Sequence, residues 1–323
     1  MVYEARQESM GHRRVALKVL APRRAHEPKA AERFRQEALL ASRLSHPNTI
    51  TLFDFGATEQ GLWFIAMEYL EGEPLAVVLR REGGLPLARA EHITRQLLGA
   101  LAEAHAIGLI HRDLKPDNVF LSRVYAQGDL VKVLDFGLAK FMGVLDDGPW
   151  EPTLLSEGRT DLTLDGLVCG TPDYMAPEQA RGETLSPAAD VYAVGLLIYQ
   201  MLQGDKPFRG KTPRDVLKLQ IREALPEVAP EYADSLLVRV MRIAARKRAD
   251  QRYKNAAAML SALRGEGPVD PAAPARHTGG FSAVTSTVRR PAPPPSRIAV
   301  SADEVYTQTD NSAAFATPPP LGA

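Results

Sequence analysis

The stretch HRDLKPDN, His111 to Asn118, packs a cation, two carboxylates, a second cation, a proline and an amide directly behind the apolar IGLI. A loop past a buried strand that holds Asp113, Lys115 and Asn118 offers a base, a cation and a metal-reaching amide. Together these suit transfer of a phosphoryl group carried on a metal. Asp135 closes a second apolar run, VLDFG, 17 positions after Asn118. Two oxygen ligands for Mg²⁺ then arise at adjacent strand ends. Taken singly, each residue also has an ordinary reading. Asp113 and Asn118 are common turn residues that bond their own backbone, and Asp135 would serve as a strand-terminal cap. The tripeptide DFG is itself cheap: it recurs at Asp54–Gly56, upstream of the loop and inside a strand-rich region.

Those groups need a scaffold, and the chain supplies three compositional regions. From Val2 to Tyr69 the runs VALKVL, TITLFDFG and LWFIAMEYL carry β-branched and aromatic residues bounded by Gly, Pro and Asn, which reads as strands. One helix interrupts them, from about Lys29 to Leu44, with apolar residues at helical spacing and a stop at SHPN. From about Glu71 the pattern turns helical. PLARAEHITRQLLGALAEAHAIG runs from a proline start to a glycine stop, and ADVYAVGLLIYQML is apolar nearly all round, as a central helix would be. The expected fold class is therefore α+β, with a small β-rich lobe over 1–70 and a larger α-helical lobe over 71–266. Beyond Gly267 lie 10 of the 25 prolines, among Ala, Ser and Thr, so 267–323 reads as a disordered tail.

Of the 323 residues 45% are hydrophobic and 24% charged, the balance of a soluble globular chain. Lys plus Arg and Asp plus Glu both number 39, so net charge selects neither nucleic acid nor acidic membrane. The single Cys169 excludes an internal disulfide. No run approaches the roughly 20 apolar residues of a membrane span, and no signal peptide is visible. The expected location is cytoplasmic.

In order and spacing, VALK, the helix glutamate of RFRQEALL, HRDLKPDN, DFG and GTPDYMAPEQ resemble the motifs of the eukaryotic-type protein kinases over about Val2 to Leu263. The resemblance implies a two-lobed fold that uses ATP with Mg²⁺, Mn²⁺ being the other ion that could serve. It makes Asp113 the base, and it assigns Lys115 to the transferring phosphate. Asn118 and Asp135 become metal ligands, Lys18 holds the α- and β-phosphates, and Glu37 is its ion-pair partner. Met67 takes the place at the back of the adenine pocket, Glu68 to Leu70 the adenine-binding hinge, and Ala16 and Phe120 the apolar surfaces above and below the ring. Glu178 is expected to pair with Arg252, and Asp190 to anchor the catalytic loop. Thr160 and Thr163 are the expected phosphorylation sites on the activation segment, met by Arg112, and Thr171 lines the substrate side. Lys115 and GTPDYMAPEQ resemble the serine/threonine branch, particularly its bacterial members. The implied partners are proteins bearing serine or threonine and, for trans-autophosphorylation, a second copy of the chain.

One departure sets the alternatives. Val2 already sits where the valine of a G-x-G-x-x-G-x-V loop belongs, and the glycines are absent. The expectation is a start upstream that restores a glycine-rich strand, with weak ATP binding by the chain as written. The rival is an ATP-binding scaffold without catalysis. A small-molecule phosphotransferase is disfavoured by the intact APE segment.

Overall fold

The computed structural model describes residues 2–8, 11–20, 38–58, 63–124, 128–136 and 172–271. By chain contacts these fall into a main unit, Met1–Arg6 with Arg14–Ala272, and a second unit whose described residues lie within Gln7–Arg13. In the second unit Arg13 Nη2 donates to Gln7 Oε1 at 2.9 Å.

Four strands form the first sheet: β1 (Val2–Gln7), β2 (Arg13–Leu20), β3 (Leu52–Ala57) and β4 (Trp63–Glu68), in the order β1-β2-β4-β3. Val2–Gln7 is thus an edge strand, with Val2 and Tyr3 exposed. The antiparallel register of β2 on β4 sets Ala16 opposite Met67 and Lys18 opposite Ile65. A bulge between Leu52 and Asp54 lets β3 keep pairing with β4 while its side chains change phase. Ile65, 1% exposed, then packs with Leu52, Phe55 and Trp63. Of the helix expected over 29–44, residues 38–41 are helical and 21–37 lie outside the described residues, Glu37 among them.

After the short β5 (Gly72–Pro74) the chain is helical: α1 (Leu75–Glu82), then α2 (Leu87–Ala106). β6 (Val119–Val124) and β7 (Gly128–Val133) complete a second sheet, ordered β5-β6-β7. Next come α3 (Pro177–Ala180), α4 (Ala188–Gln203), α5 (Pro213–Arg222), α6 (Leu236–Ala244) and α7 (Ala256–Leu263). α4 is buried at every position but its last, Gln203, the burial expected of its all-round apolar sequence. Gly204 ends it in the left-handed region, φ 77°, and donates to the Gln200 carbonyl. α5 starts from a reciprocal cap between Thr212 and Asp215 with Pro213 in its first turn.

Contacts continue past the expected boundary at Gly267. Arg246 bonds the Asp270 carboxylate through two nitrogens at 2.9 and 2.6 Å, and the Tyr253 hydroxyl donates to the Val269 carbonyl. Thr160, Thr163, Cys169 and Thr171 lie outside the described residues.

The helical lobe is pinned by the Glu178–Arg252 pair, expected from sequence and found fully buried, with two bonds of 2.7 and 2.8 Å. Arg252 also donates to the carbonyls of Ala188, Arg246 and Lys247, so its whole guanidinium is satisfied. Breaking a buried pair strands a charge, so Glu178→Gln should lower the free energy of unfolding by about 3 kcal/mol. Urea unfolding checks this, and a loss below about 1 kcal/mol would show that the pair does not pin the lobe.

Candidate active site

The HRDLKPDN segment does not follow a strand. Ile107 to Lys115 is irregular, entered from α2 through Gly108 at φ 80°. The reason lies in the hydrogen bonds: the backbone N–H groups of His111 and Arg112 donate to the Asp190 carboxylate, at 2.7 and 2.9 Å, and not to a neighbouring strand. His105, in the last turn of α2, adds an imidazole contact to Asp190 at 2.9 Å, while its Nδ1 accepts the Ala256 N–H. The Nδ1 acceptor role fixes the proton on Nε2, so His105 donates to Asp190. Burial pushes the Asp190 carboxyl up, and the His105 hydrogen bond, the neighbouring imidazoles and the His111 N–H overcome that. The net effect holds it below its ordinary 3.8.

This anchor offsets backbone strain. Asp113 N–H donates to the His111 carbonyl at 2.9 Å, a tight turn centred on Arg112 with φ 69°. A non-glycine residue there costs about 1–3 kcal/mol. Arg112 is tied at both ends, its N–H to Asp190 and its carbonyl to the Gln179 side chain at 2.8 Å. Asp135 is likewise at φ 59°. The His111 ring bonds the Leu134 carbonyl at 2.8 Å and lies 4.9 Å from the Phe136 ring, joining the two loops.

The result brings the charged groups together at the open ends of β6 and β7. Lys115 Nζ lies 2.6 Å from Asp113 Oδ2. Asn118 directs Nδ2 to the Asp113 carbonyl at 2.8 Å, which leaves its Oδ1 as an acceptor. The Leu134 N–H donates to the Asn118 carbonyl at 2.9 Å and sets Asp135 beside it. Lys18 Nζ reaches Asp135 Oδ2 at 2.6 Å in a cleft that Met67 and Phe136 also line. Both ion pairs keep about a fifth to a quarter of their side-chain surface exposed. Ala16 faces Met67 across the ladder, and Phe120 on β6 pairs with Pro74 and Lys132. Glu68 ends β4, with Tyr69 and Leu70 just beyond. Glu37, the expected partner of Lys18, lies outside the described residues.

Sequence reasoning missed His105 and Lys132. A histidine in the last turn of a helix reads as a dipole partner, which hides the contact with Asp190. Lys132 alternates into a strand and meets Glu68 at 2.7 Å. Among the described residues there is no cluster of three His, Cys, Asp or Glu suited to a metal, and no helix long and apolar enough to cross a membrane. Two oxygen donors, Asn118 Oδ1 and Asp135, match an ion that takes its remaining ligands from water and substrate phosphates, as Mg²⁺ does.

The protein kinase domain family matches residues 1–259. The chain is 47% identical over 207 residues to the serine/threonine-protein kinase pkn3 of Myxococcus xanthus, covering 64% of this chain and 36% of that one. It is 38% identical over 234 residues to the serine/threonine-protein kinase PknA of Mycobacterium tuberculosis, covering 71% of this chain and 50% of that one. It therefore spans half or less of the length of these curated relatives. A mutant PknI kinase domain of Mycobacterium tuberculosis, known from its crystal structure, superposes with a TM-score of 0.57 at 26% identity, over 78% of this chain and 85% of that one.

Asp190 has a depressed pKa, so its contribution to stability is full above the ordinary 3.8 and fades as pH falls through the lower folded value. At pH near 7, Asp190→Asn should lose about 3 kcal/mol of unfolding free energy, because one amide nitrogen then faces an N–H donor. The gap to the parent should narrow on acidification below about pH 4. Urea titrations across that range test it, and a gap that widens in acid would contradict the assignment.

Proposed function

The chain belongs to the protein kinase family, of the bacterial serine/threonine kind, and on that premise we propose that it moves the γ-phosphoryl group of ATP to serine or threonine hydroxyls of proteins. The observation that supports this reading is that Lys18 meets Asp135 in the cleft while Asp113, Lys115 and Asn118 bond one another on the neighbouring loop, tied to the Asp135 segment through the Leu134 N–H on the Asn118 carbonyl.

Asp113 is the group that takes the hydroxyl proton as the oxygen attacks. Its Oδ2 is steadied by Lys115, which is also placed to meet the charge on the transferred group. Lys18 is the cation for the α- and β-phosphates, parked on Asp135. Asn118 and Asp135 would hold Mg²⁺, or Mn²⁺ in its place, and the ion would supply neutralisation of phosphate charge. The hinge Glu68 to Leu70 and the apolar Ala16, Met67 and Phe120 would receive adenine. Copies of the chain could act on one another in trans, with Thr160 and Thr163 as acceptors. The scaffold alternative gains nothing from these residues, since the chain retains side chains suited to act as base, cation and metal donors.

Both carboxylates are partly exposed, 26% for Asp113 and 27% for Asp135, so replacing them should leave the fold intact. Asp113→Asn should cut transfer from radiolabelled ATP to a protein acceptor by about 10²-fold or more. Asp135→Asn should cut it at least as far, because charge stabilisation and positioning carry this reaction. Near-parental Mg²⁺-dependent transfer in Asp113→Asn would overturn its role as base.

A further inference from the structure

The outer face of α5 carries a row of positive charge that takes no part in the chemistry described above. Arg214, Lys218 and Arg222 recur every fourth residue, so they share one face of the helix. Lys218 and Arg222 are exposed, and Arg214 is half-buried, its Nε shielded from solvent and without a hydrogen-bond partner. Among the described residues none of the three has an ion-pair partner. Cations just ahead of the helix do: Arg209 meets Asp205, and Lys206 meets Asp173. Like charges four residues apart destabilise a helix, and a row of carboxylates laid against them removes that cost.

The inner face of α5 is bolted down, which fixes where the row points. Leu217 packs with Met175 and Ala180, and Ile221 lies against them. Gln220 donates to the Asp173 carbonyl at 2.5 Å and accepts the Tyr192 hydroxyl at 2.6 Å, and Lys247 donates to that same hydroxyl oxygen at 2.9 Å. Arg214 and Lys218 stand three residues before Leu217 and Ile221, so the row borders the edge of α5 that packs on Met175 and Ala180. The chain itself supplies a complement that ends at this place. It leaves the described residues at Phe136 and returns at Pro172, and over 146–165 it carries six carboxylates against one cation, Arg159. Asp165 stands seven positions before Pro172, a reach of up to about 24 Å, against about 15 Å for the whole length of α5. The tether at Pro172, whose turn is bonded to Gln220, makes the encounter intramolecular, with an effective concentration of order millimolar.

We propose that Arg214, Lys218 and Arg222 form a docking stripe for the chain's own acidic run, 146–165, which binds in cis along the outer face of α5. The run contains Thr160 and Thr163, so this contact sets how readily other molecules reach those hydroxyls and the neighbouring Arg159. Exposed pairs of this kind are individually weak and screened by salt. The hold is therefore a sum over the row, and it fades as ionic strength rises.

Limited proteolysis of the full chain tests this without nucleotide or transfer, so its outcome is independent of the kinase reading. Trypsin cleavage after Arg159, followed by mass spectrometry at low salt, should run about tenfold faster in Arg214→Gln/Lys218→Gln/Arg222→Gln than in the parent. The exposed pair Lys218→Gln/Arg222→Gln, which spares the half-buried Arg214, should show a rise of about fivefold. Arg239→Gln/Lys254→Gln, which neutralises two exposed cations on other elements, should stay within about twofold of the parent. The differences should vanish by about 0.5 M salt. Asp146→Asn/Asp147→Asn/Asp165→Asn should also speed cleavage, and adding the stripe substitutions to it should change little, because both sets remove one interaction. Equal cleavage in the parent and both stripe variants, or effects of the two sets that simply add, would overturn the proposal. Protection that grows with protein concentration between about 1 and 50 µM would make a second copy the occupant and overturn the assignment in cis.

Discussion

One buried carboxylate organises the loop on which the proposed chemistry depends. Asp190 sits on the central helix, wholly removed from water, and takes three hydrogen bonds: from the N–H groups of His111 and Arg112 and from the His105 ring. Burying a charge without such partners would be prohibitive. With them, the carboxylate converts an irregular backbone into a fixed one, and the strained turn at Arg112 becomes affordable. Asp113 follows that turn directly, so its direction is inherited from a residue 77 positions away.

The same logic of fully satisfied charge recurs outward from this anchor. Glu178 and Arg252 join the start of α3 to the segment before α7, with every guanidinium nitrogen engaged. At the cleft the pairs are different in kind. Lys18 with Asp135 and Lys115 with Asp113 are single contacts, partly open to solvent. Such pairs are weak in net energy and readily exchange partners, which suits groups meant to meet a charged substrate. Rigidity sits behind the site and exchangeable charge lines it.

How much of this was legible in the sequence depended on whether the signal was local. The apolar periodicity of ADVYAVGLLIYQML marked α4 as central, and the strand runs near 15–20, 52–57 and 63–68 followed from β-branched and aromatic content. The spacing of HRDLKPDN to DFG placed the polar cluster, because β6 and β7 form a hairpin that returns Asp135 to Asn118. IGLI was misread as a strand: Leu109 is buried and Ile110 half-buried, as a strand's residues would be, yet Ile107 is exposed and the backbone donors that follow are taken by a side chain from α4. His105, Gln220, Tyr192 and Lys247 were silent for the same reason. Their partners are brought in by tertiary packing of α2, α4 and α5, and nothing in the flanking residues announces them.

The most direct test of the account asks whether Asp190 positions the base or merely stabilises the lobe. Asp190→Asn, held at a temperature where it is folded, should transfer phosphate from ATP with kcat reduced about 100-fold, since small misplacements of a reacting group cost that much. Its MgATP Kd should stay within about threefold of the parent, because Lys18 and the cleft are held by other contacts. A folded variant with unchanged kcat, or one in which kcat and MgATP affinity collapse together, would contradict the claim that this carboxylate orients the catalytic loop.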